Sequence, residues 1–283
     1  MAPAPPKRRY EQQSWWQRAI GGPRSTWVAL VAIVLVVALF ALIARNRQAE
    51  QAPTTVTQSV AEQVTRIPAS VYEQVGNGGL QVTFKATQGS PAILKDSAGK
   101  PQVLYVGAEY CPYCAAERWS LVAALSRFGT FSGLELIKSG EGNIPTFSFV
   151  KSSYSSPYVS FASVETEDGS GNRLQQLSAE QQQITAKYNA PPYTGSSGAI
   201  PFTDIANQYI RTGSGFQPDV IQSGTWQGIA DALSVPNSPE AKAIVGNANI
   251  LTAAICQTTN NQPANVCTAA PIPALQQQLP KGS

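Results

Sequence analysis

Two cysteines spaced Cys-x-x-Cys, Cys111 and Cys114, are the residues of this chain best placed to do chemistry. They lie in the run Val103-Leu-Tyr-Val-Gly-Ala-Glu-Tyr-Cys-Pro-Tyr-Cys-Ala-Ala-Glu-Arg-Trp119, which reads as an apolar strand, a short turn and a helix. Cys111 falls just before the helix, where its sulfur can face the unpaired N–H groups of the first turn. Pro112 falls at the first helical position, where a missing N–H costs nothing and the fixed φ is already helical. The positive end of the helix dipole favours a thiolate over a thiol, so the Cys111 pKa is expected below its free value. Cys114 is close enough in sequence to close a small disulfide ring. This is the layout of a redox dithiol with an outer nucleophilic thiol, Cys111, and an inner resolving one, Cys114.

Two other readings of Cys-x-x-Cys stand beside it. Half of a zinc site needs a second Cys or His pair, and the chain has no histidine. Its other cysteines, Cys256 and Cys267, have ten residues between them, wide for a zinc knuckle, so no metal is expected. An inert structural disulfide is the second alternative. The strand–CxxC–helix context is what favours the redox pair over both. The absence of histidine also excludes Ser-His-Asp and Cys-His catalysis.

The net charge of +3 is unevenly spread over the 283 residues. Residues 1–24 hold Lys7, Arg8, Arg9, Arg18 and Arg24 against Glu11, while the chain beyond Arg47 is slightly acidic. Basic character therefore belongs to an N-terminal tail, and nucleic-acid binding is not expected. Residues 27–44 are uncharged and apolar, enough for about 27 Å of helix against a hydrocarbon core of roughly 30 Å. The basic excess before them places the N-terminus in the cytoplasm. A cleaved signal peptide is the rival, since Ala41-Leu-Ile-Ala44 has a small-x-x-small look, but its apolar region would be longer than usual. Either way the remainder lies outside the cytoplasm, where disulfides persist. The expected organisation is a cytoplasmic tail (1–26), a transmembrane helix (27–44), a linker without apolar period (45–66), one domain (67–270) and a flexible tail (271–283).

Within the domain, Ile67–Val75 reads as a short helix stopped by glycines, and Leu80–Phe84 and Pro91–Leu94 as strands. Gln102–Val106 is a continuous apolar run, the pattern of a buried central strand. The helix after Cys111 extends to about Phe128, with Glu117, Arg118 and Ser120 mainly off its apolar face. Leu134–Lys138 is expected to return as a parallel strand, closing a βαβ unit. Thr146–Val150 and Val159–Glu165 read as an inserted hairpin, and Ser178–Tyr188 as a helix opened by a Ser178/Gln181 capping box. Gln208–Arg211 is expected as an edge strand, and Trp226–Leu233 and Ala241–Ile255 as helices. Cys256 and Cys267 read as a structural disulfide, with exchange with the CxxC pair or intermolecular pairing as alternatives.

Ala108-Glu-Tyr-Cys-Pro-Tyr-Cys114 resembles a thioredoxin-superfamily active site with the glutaredoxin-type Pro-Tyr between the cysteines. The longer run through Trp119 resembles membrane-anchored thioredoxin-like proteins of archaea and some bacteria. It is also similar to thioredoxin domains fused to vitamin K epoxide reductase homologues. The resemblance spans roughly residues 65–270. It implies an α/β thioredoxin-like fold, a mixed central sheet with helices on both faces, here with an inserted β-hairpin, a C-terminal helical extension and one preceding transmembrane helix.

By the same resemblance, Pro201 is a cis-proline beside the CxxC, and Ile200 docks a substrate strand with Pro112 and Tyr113. An ordinary trans-proline at a strand start is the alternative. The implied activity is extracytoplasmic thiol–disulfide exchange with protein thiols and disulfides. Glutaredoxin-type potentials lie at roughly −200 to −230 mV. Two positions depart from the pattern. The buried acid that thioredoxins carry six residues before the first cysteine is Tyr105 here, and the preceding Trp is Tyr110. The first change favours an oxidase or isomerase over a reductase. Glu109 and Glu117 are expected to be solvated carboxylates. No quinone- or flavin-binding pattern is present, so no cofactor is expected, and such an enzyme needs a separate membrane partner to recycle electrons. The alternative class is a thioredoxin-fold binding or chaperone-like module whose CxxC is only structural.

Overall fold

The computed structural model describes residues 30–40 and 54–282. The chain divides into two units, Met1–Glu50 and Gln51–Ser283. Of the first, 30–40 is helical and exposed; the rest of the expected 27–44 span lies outside the described residues, as do the 1–26 tail and 45–53. Among the described residues no helix is long and apolar enough to cross a membrane.

The second unit runs α1 Thr54–Thr65, α2 Ala69–Val75, β1 Lys85–Ala86, β2 Gln102–Gly107, α3 Pro112–Leu125, β3 Thr130–Ser132, β4 Glu135–Lys138 and β5 Pro145–Ser148. It continues β6 Ser153–Ser155, β7 Ser160–Glu165, α4 Ala179–Tyr188, β8 Phe202–Ile205, β9 Tyr209–Thr212, α5 Asp219–Gln222 and α6 Trp226–Ala232. It ends with α7 Pro239–Thr258, α8 Ala264–Cys267 and α9 Ile272–Gln278. The central sheet is mixed, in the order β1-β9-β8-β2-β7, with β2 parallel to β7 and antiparallel to β8.

Alternation along β2 builds two core layers. Val103 and Tyr105 join the larger cluster under α3 and α7, with Trp119, Val122, Ile244 and Leu251. Leu104 and Val106 join Phe202, Ile210, Ile184 and Tyr188 beneath α4 on the other face. The α/β reading with helices on both faces of a mixed sheet therefore holds. The capping box at Ser178 is present, with the Ser178 hydroxyl accepting from Gln181 N–H and the Gln181 amide oxygen from Ser178 N–H.

Several expectations need correction. Leu134–Lys138 does not return beside β2; β4 pairs antiparallel with β5, and β7 is the parallel neighbour. The expected hairpin of Thr146–Val150 with Val159–Glu165 is therefore absent. The insertion is two separate ribbons, β3-β6 and β4-β5. An aromatic cluster ties them to the sheet, with Phe131–Tyr154 centroids 4.9 Å apart, Phe149–Phe161 5.1 Å and Tyr105–Phe149 5.4 Å. Short apolar runs announce strands but not their partners. Leu80–Phe84 and Pro91–Leu94 are not strands, although Phe84 and Leu94 are buried; only Lys85–Ala86 pairs with β9, which is thus not the sheet's edge.

Both flanks of the domain are longer than expected. Residues 54–65 of the expected linker form α1, which packs against α3 and α6 through Val60 and Val64. Residues 271–282 of the expected flexible tail contain α9, docked on α7 with Ile272, Leu275 and Leu279 buried. Gly246 in α7 lets the α2 terminus cross closely, since a Cβ there would meet the Asn77 carbonyl oxygen at 2.6 Å. Asn249 then caps α2, donating to the Tyr72 and Gly76 carbonyls at 2.8 and 2.7 Å.

Cys256 and Cys267 form a disulfide, Cα atoms 5.6 Å apart, between α7 and α8. It closes an 11-residue separation, for which loop entropy gives roughly 2–3 kcal/mol. Cys256→Ala/Cys267→Ala is expected to lose about that much in urea unfolding, while Cys111 alkylation stays unchanged in the folded protein.

Candidate active site

The strand–turn–helix places Cys111 as the N-cap of α3 in extended conformation, with Pro112 at the first helical position. Its sulfur accepts the Cys114 backbone N–H at 3.2 Å. Cys111 is 6% exposed and Cys114 is fully buried, and the two are free thiols. The Cys111 pKa falls from 9.0 to about 7. The Cys114 thiol contributes most by hydrogen bonding the thiolate, the Cys114 and Tyr113 N–H groups and the Arg118 charge add to it, and burial opposes them. Burial and the Cys111 hydrogen bond push Cys114 well up, with Arg118 pulling the other way. The negative charge of the dithiol thus resides on the outer sulfur.

A folded-state pKa below the unfolded one means that Cys111 ionisation stabilises the reduced protein above the ordinary thiol range. That contribution is lost as pH falls through about 7. Ultraviolet thiolate absorbance of the reduced full-length protein is expected to titrate near pH 7. Cys111→Ser removes that step.

Pro112 and Tyr113 share the first turn with the cysteines; Tyr113 is 44% exposed and its hydroxyl donates to Gln217 Oε1 at 3.3 Å. The Ile200–Pro201 peptide is cis. The β2–β8 register ends at Val106–Phe202, so Ile200 and Pro201 enter β8 beside the Gly107 end of β2. That is the sheet end from which the Cys111 turn departs. The Ala199 carbonyl accepts from Asn189 Nδ2 at 2.9 Å and the Pro201 carbonyl from Gly213 N–H at 2.9 Å. Cys256 and Cys267 lie in a different pairing and are 0% and 2% exposed, which supports a staple over an exchanging pair. Among the described residues no group of three or more His, Cys, Asp or Glu side chains could hold a metal ion.

The expected polar face of α3 is buried. Every residue from Cys114 to Leu125 is covered, because α7 packs on one side and the β4-β5 ribbon on another. Arg118 makes a bidentate pair with Glu165, Nε to Oε1 at 2.8 Å and Nη2 to Oε2 at 2.7 Å, and also donates to the Ala108 carbonyl at 2.8 Å. The guanidinium therefore braces the backbone three residues before Cys111. Glu117 is no solvated carboxylate either: it pairs with Arg211 and accepts from Asn247 Nδ2 at 3.0 Å and Gly215 N–H at 3.2 Å. Glu109 is half-buried, accepts from Ser148 Oγ at 2.6 Å, and has its pKa pushed up by burial, with Ser148 and Arg118 opposing. Sequence reasoning missed Arg118, Glu165 and the burial of Glu117. The one available signal was an Arg and a Glu adjacent on a helix otherwise rich in small apolar residues.

A dithiol held at a helix N-terminus with its charge on the outer sulfur defines a site competent for thiol–disulfide chemistry. The chain belongs to the family described as Domain of unknown function (DUF929), whose model matches residues 90–257. That span includes Cys111, Cys114, Glu165, Pro201 and Cys256. No curated protein and no solved structure matches the chain.

Proposed function

We propose that this protein is a membrane-tethered, extracytoplasmic thiol–disulfide oxidoreductase on a thioredoxin-like fold, an oxidase or isomerase more than a reductase. The observation that carries the reading is the Cys111 sulfur at the α3 N-cap, accepting the Cys114 N–H with its pKa lowered to about 7. A thiolate populated at neutral pH is both the nucleophile and the leaving group that exchange requires. In the oxidising direction a substrate thiolate attacks Cys111 of the disulfide form, and a second substrate thiol then releases Cys111. A stabilised Cys111 thiolate favours the reduced enzyme, which makes its disulfide the oxidant. The mixed sheet and the helices on both faces support the fold assignment. The apolar 27–44 run and the basic tail support the tether. Substrates on this reading are protein thiols and disulfides docked across Ile200, Pro201, Pro112 and Tyr113, and a separate membrane protein takes the electrons.

The reduction potential of Cys111–Cys114 in the full-length protein, poised in glutathione buffers and read by thiol trapping and mass spectrometry, tests this. A midpoint between about −120 and −230 mV is expected. A disulfide that stays closed below about −300 mV overturns the reading and leaves a binding module with a structural CxxC.

A further inference from the structure

The sheet face beneath α3 carries a polar row in the middle of an apolar core. Arg211, Thr203, Tyr105 and Ser163 are successive neighbours across β9, β8, β2 and β7, so their side chains share that face. From α3, Arg118 approaches the Tyr105 ring, and the Cys114 sulfur interacts with the Tyr105 side chain. Tyr105 is 0% exposed, and its hydroxyl has no nitrogen or oxygen partner, only the Cys114 sulfur beside it; Arg118 Nη1 is buried and without a partner. Leaving a buried donor unpaired is costly, and more so for a charged group. The two donors stand together here, the guanidinium carbon 6.0 Å from the phenol ring centre. The phenol also lies across the backbone that leads into the Cys111 turn: a Cβ on Gly107 would meet Tyr105 Oη at 2.2 Å. The sulfur these two groups share as an electrostatic neighbour is that of Cys114.

We propose that Tyr105, backed by Arg118, is the hydrogen-bond donor to the Cys114 thiolate when that sulfur leaves. This rests on the oxidoreductase reading. A substrate thiolate attacks Cys111 Sγ, the substrate–Cys111 disulfide forms, the Cys111–Cys114 bond breaks, and its electron pair stays on Cys114 Sγ. No outside oxidant or proton is needed for that step. The new anion supplies the charged acceptor that the Tyr105 hydroxyl and Arg118 Nη1 lack, and its charge faces a cation in a region of low dielectric. A carboxylate at position 105 would repel the same anion. Burial holds the phenol protonated, its pKa well above the ordinary value, so it remains a donor throughout. The dithiol's two sulfurs thus have different supports: the helix N-terminus for Cys111 and the Tyr105–Arg118 pair for Cys114.

Tyr105→Phe deletes only the hydroxyl, so the fold is kept. Oxidised full-length wild type and Tyr105→Phe are mixed with reduced glutathione, quenched with acid and read by mass spectrometry for mixed-disulfide formation. The variant is expected to react about tenfold more slowly, which corresponds to about 1.4 kcal/mol of lost transition-state stabilisation, with an unchanged unfolding midpoint. In a Cys111→Ser background the Cys114 titration, followed by thiolate absorbance, is expected to move upward with Tyr105→Phe, a readout that a merely structural role would not shift. Equal rates and equal Cys114 titrations, in a wild type that does exchange with glutathione, overturn the donor role alone. A wild type that does not exchange at all overturns the oxidoreductase reading itself.

Discussion

Cys111→Ser is expected to abolish disulfide exchange, whereas Cys114→Ser is expected to yield a protein that begins the reaction and cannot finish it. The asymmetry follows from the two sulfurs' surroundings. Cys111 is the slightly exposed one, its charge favoured chiefly by the Cys114 thiol and then by the first-turn N–H groups. Cys114 is fully buried, and burial keeps it protonated. Incubated with oxidised glutathione at pH 8, full-length Cys114→Ser accumulates a mixed disulfide at Cys111, because no inner thiol remains to displace glutathione. Under the same conditions Cys111→Ser stays unmodified at Cys114 for as long as it stays folded. Peptide mapping of the two adducts decides the assignment. Faster modification of Cys114 than of Cys111 would reverse the roles of the two residues.

The part of the site legible in the sequence is the part made by one continuous segment. Strand, turn and helix around Cys111 follow from an apolar run, a proline at the first helical position and local capping chemistry, and the structure has them where expected. The part that was not legible depends on segments far away in the chain. Glu117 and Arg118 fall off the apolar face of the helix, whose own periodicity cannot show that α7, more than a hundred residues on, covers them. Their partners come from β9 and β7, which no local pattern names. The same holds for Leu134–Lys138, whose apolar content announces a strand but leaves its neighbour open. The error in the linker was of a different kind. Val56, Val60 and Val64 recur every four residues, a narrow helical stripe hidden among Gln, Thr and Glu, and two of the three are buried in α1. Ile272, Leu275 and Leu279 repeat the lesson in a Pro/Gln-rich tail. Narrow stripes suffice where a helix meets only one neighbour.

Arg211→Met is expected to destabilise the fold by about 3–5 kcal/mol. Arg211 on β9 donates to the Glu117 carboxylate on α3 and, at 2.8 Å, to Asn247 Oδ1 on α7, so one guanidinium joins three elements under the site. Its guanidinium carbon also lies 4.6 Å from the Phe84 ring centre. Removing it leaves Glu117 fully buried with only the Asn247 amide and Gly215 N–H as donors. Breaking a buried pair from one side costs about 3–5 kcal/mol, chiefly because the remaining charge is uncompensated. Glu117→Leu/Arg211→Met removes that charge as well and should recover a substantial part of the loss, since apolar replacements of similar volume are often close to neutral. Urea unfolding of the wild type, both single variants and the double variant closes the cycle, with a coupling of about 2–3 kcal/mol expected for groups in one network. Additive losses would mean that Glu117 is held by Asn247 and Gly215 rather than by Arg211. The pair would then fix the approach of α7 to α3 without stabilising the carboxylate. A large coupling makes the pair the bond between the helix that carries the cysteines and the strand behind it, so that its loss loosens the platform on which Cys111 is presented.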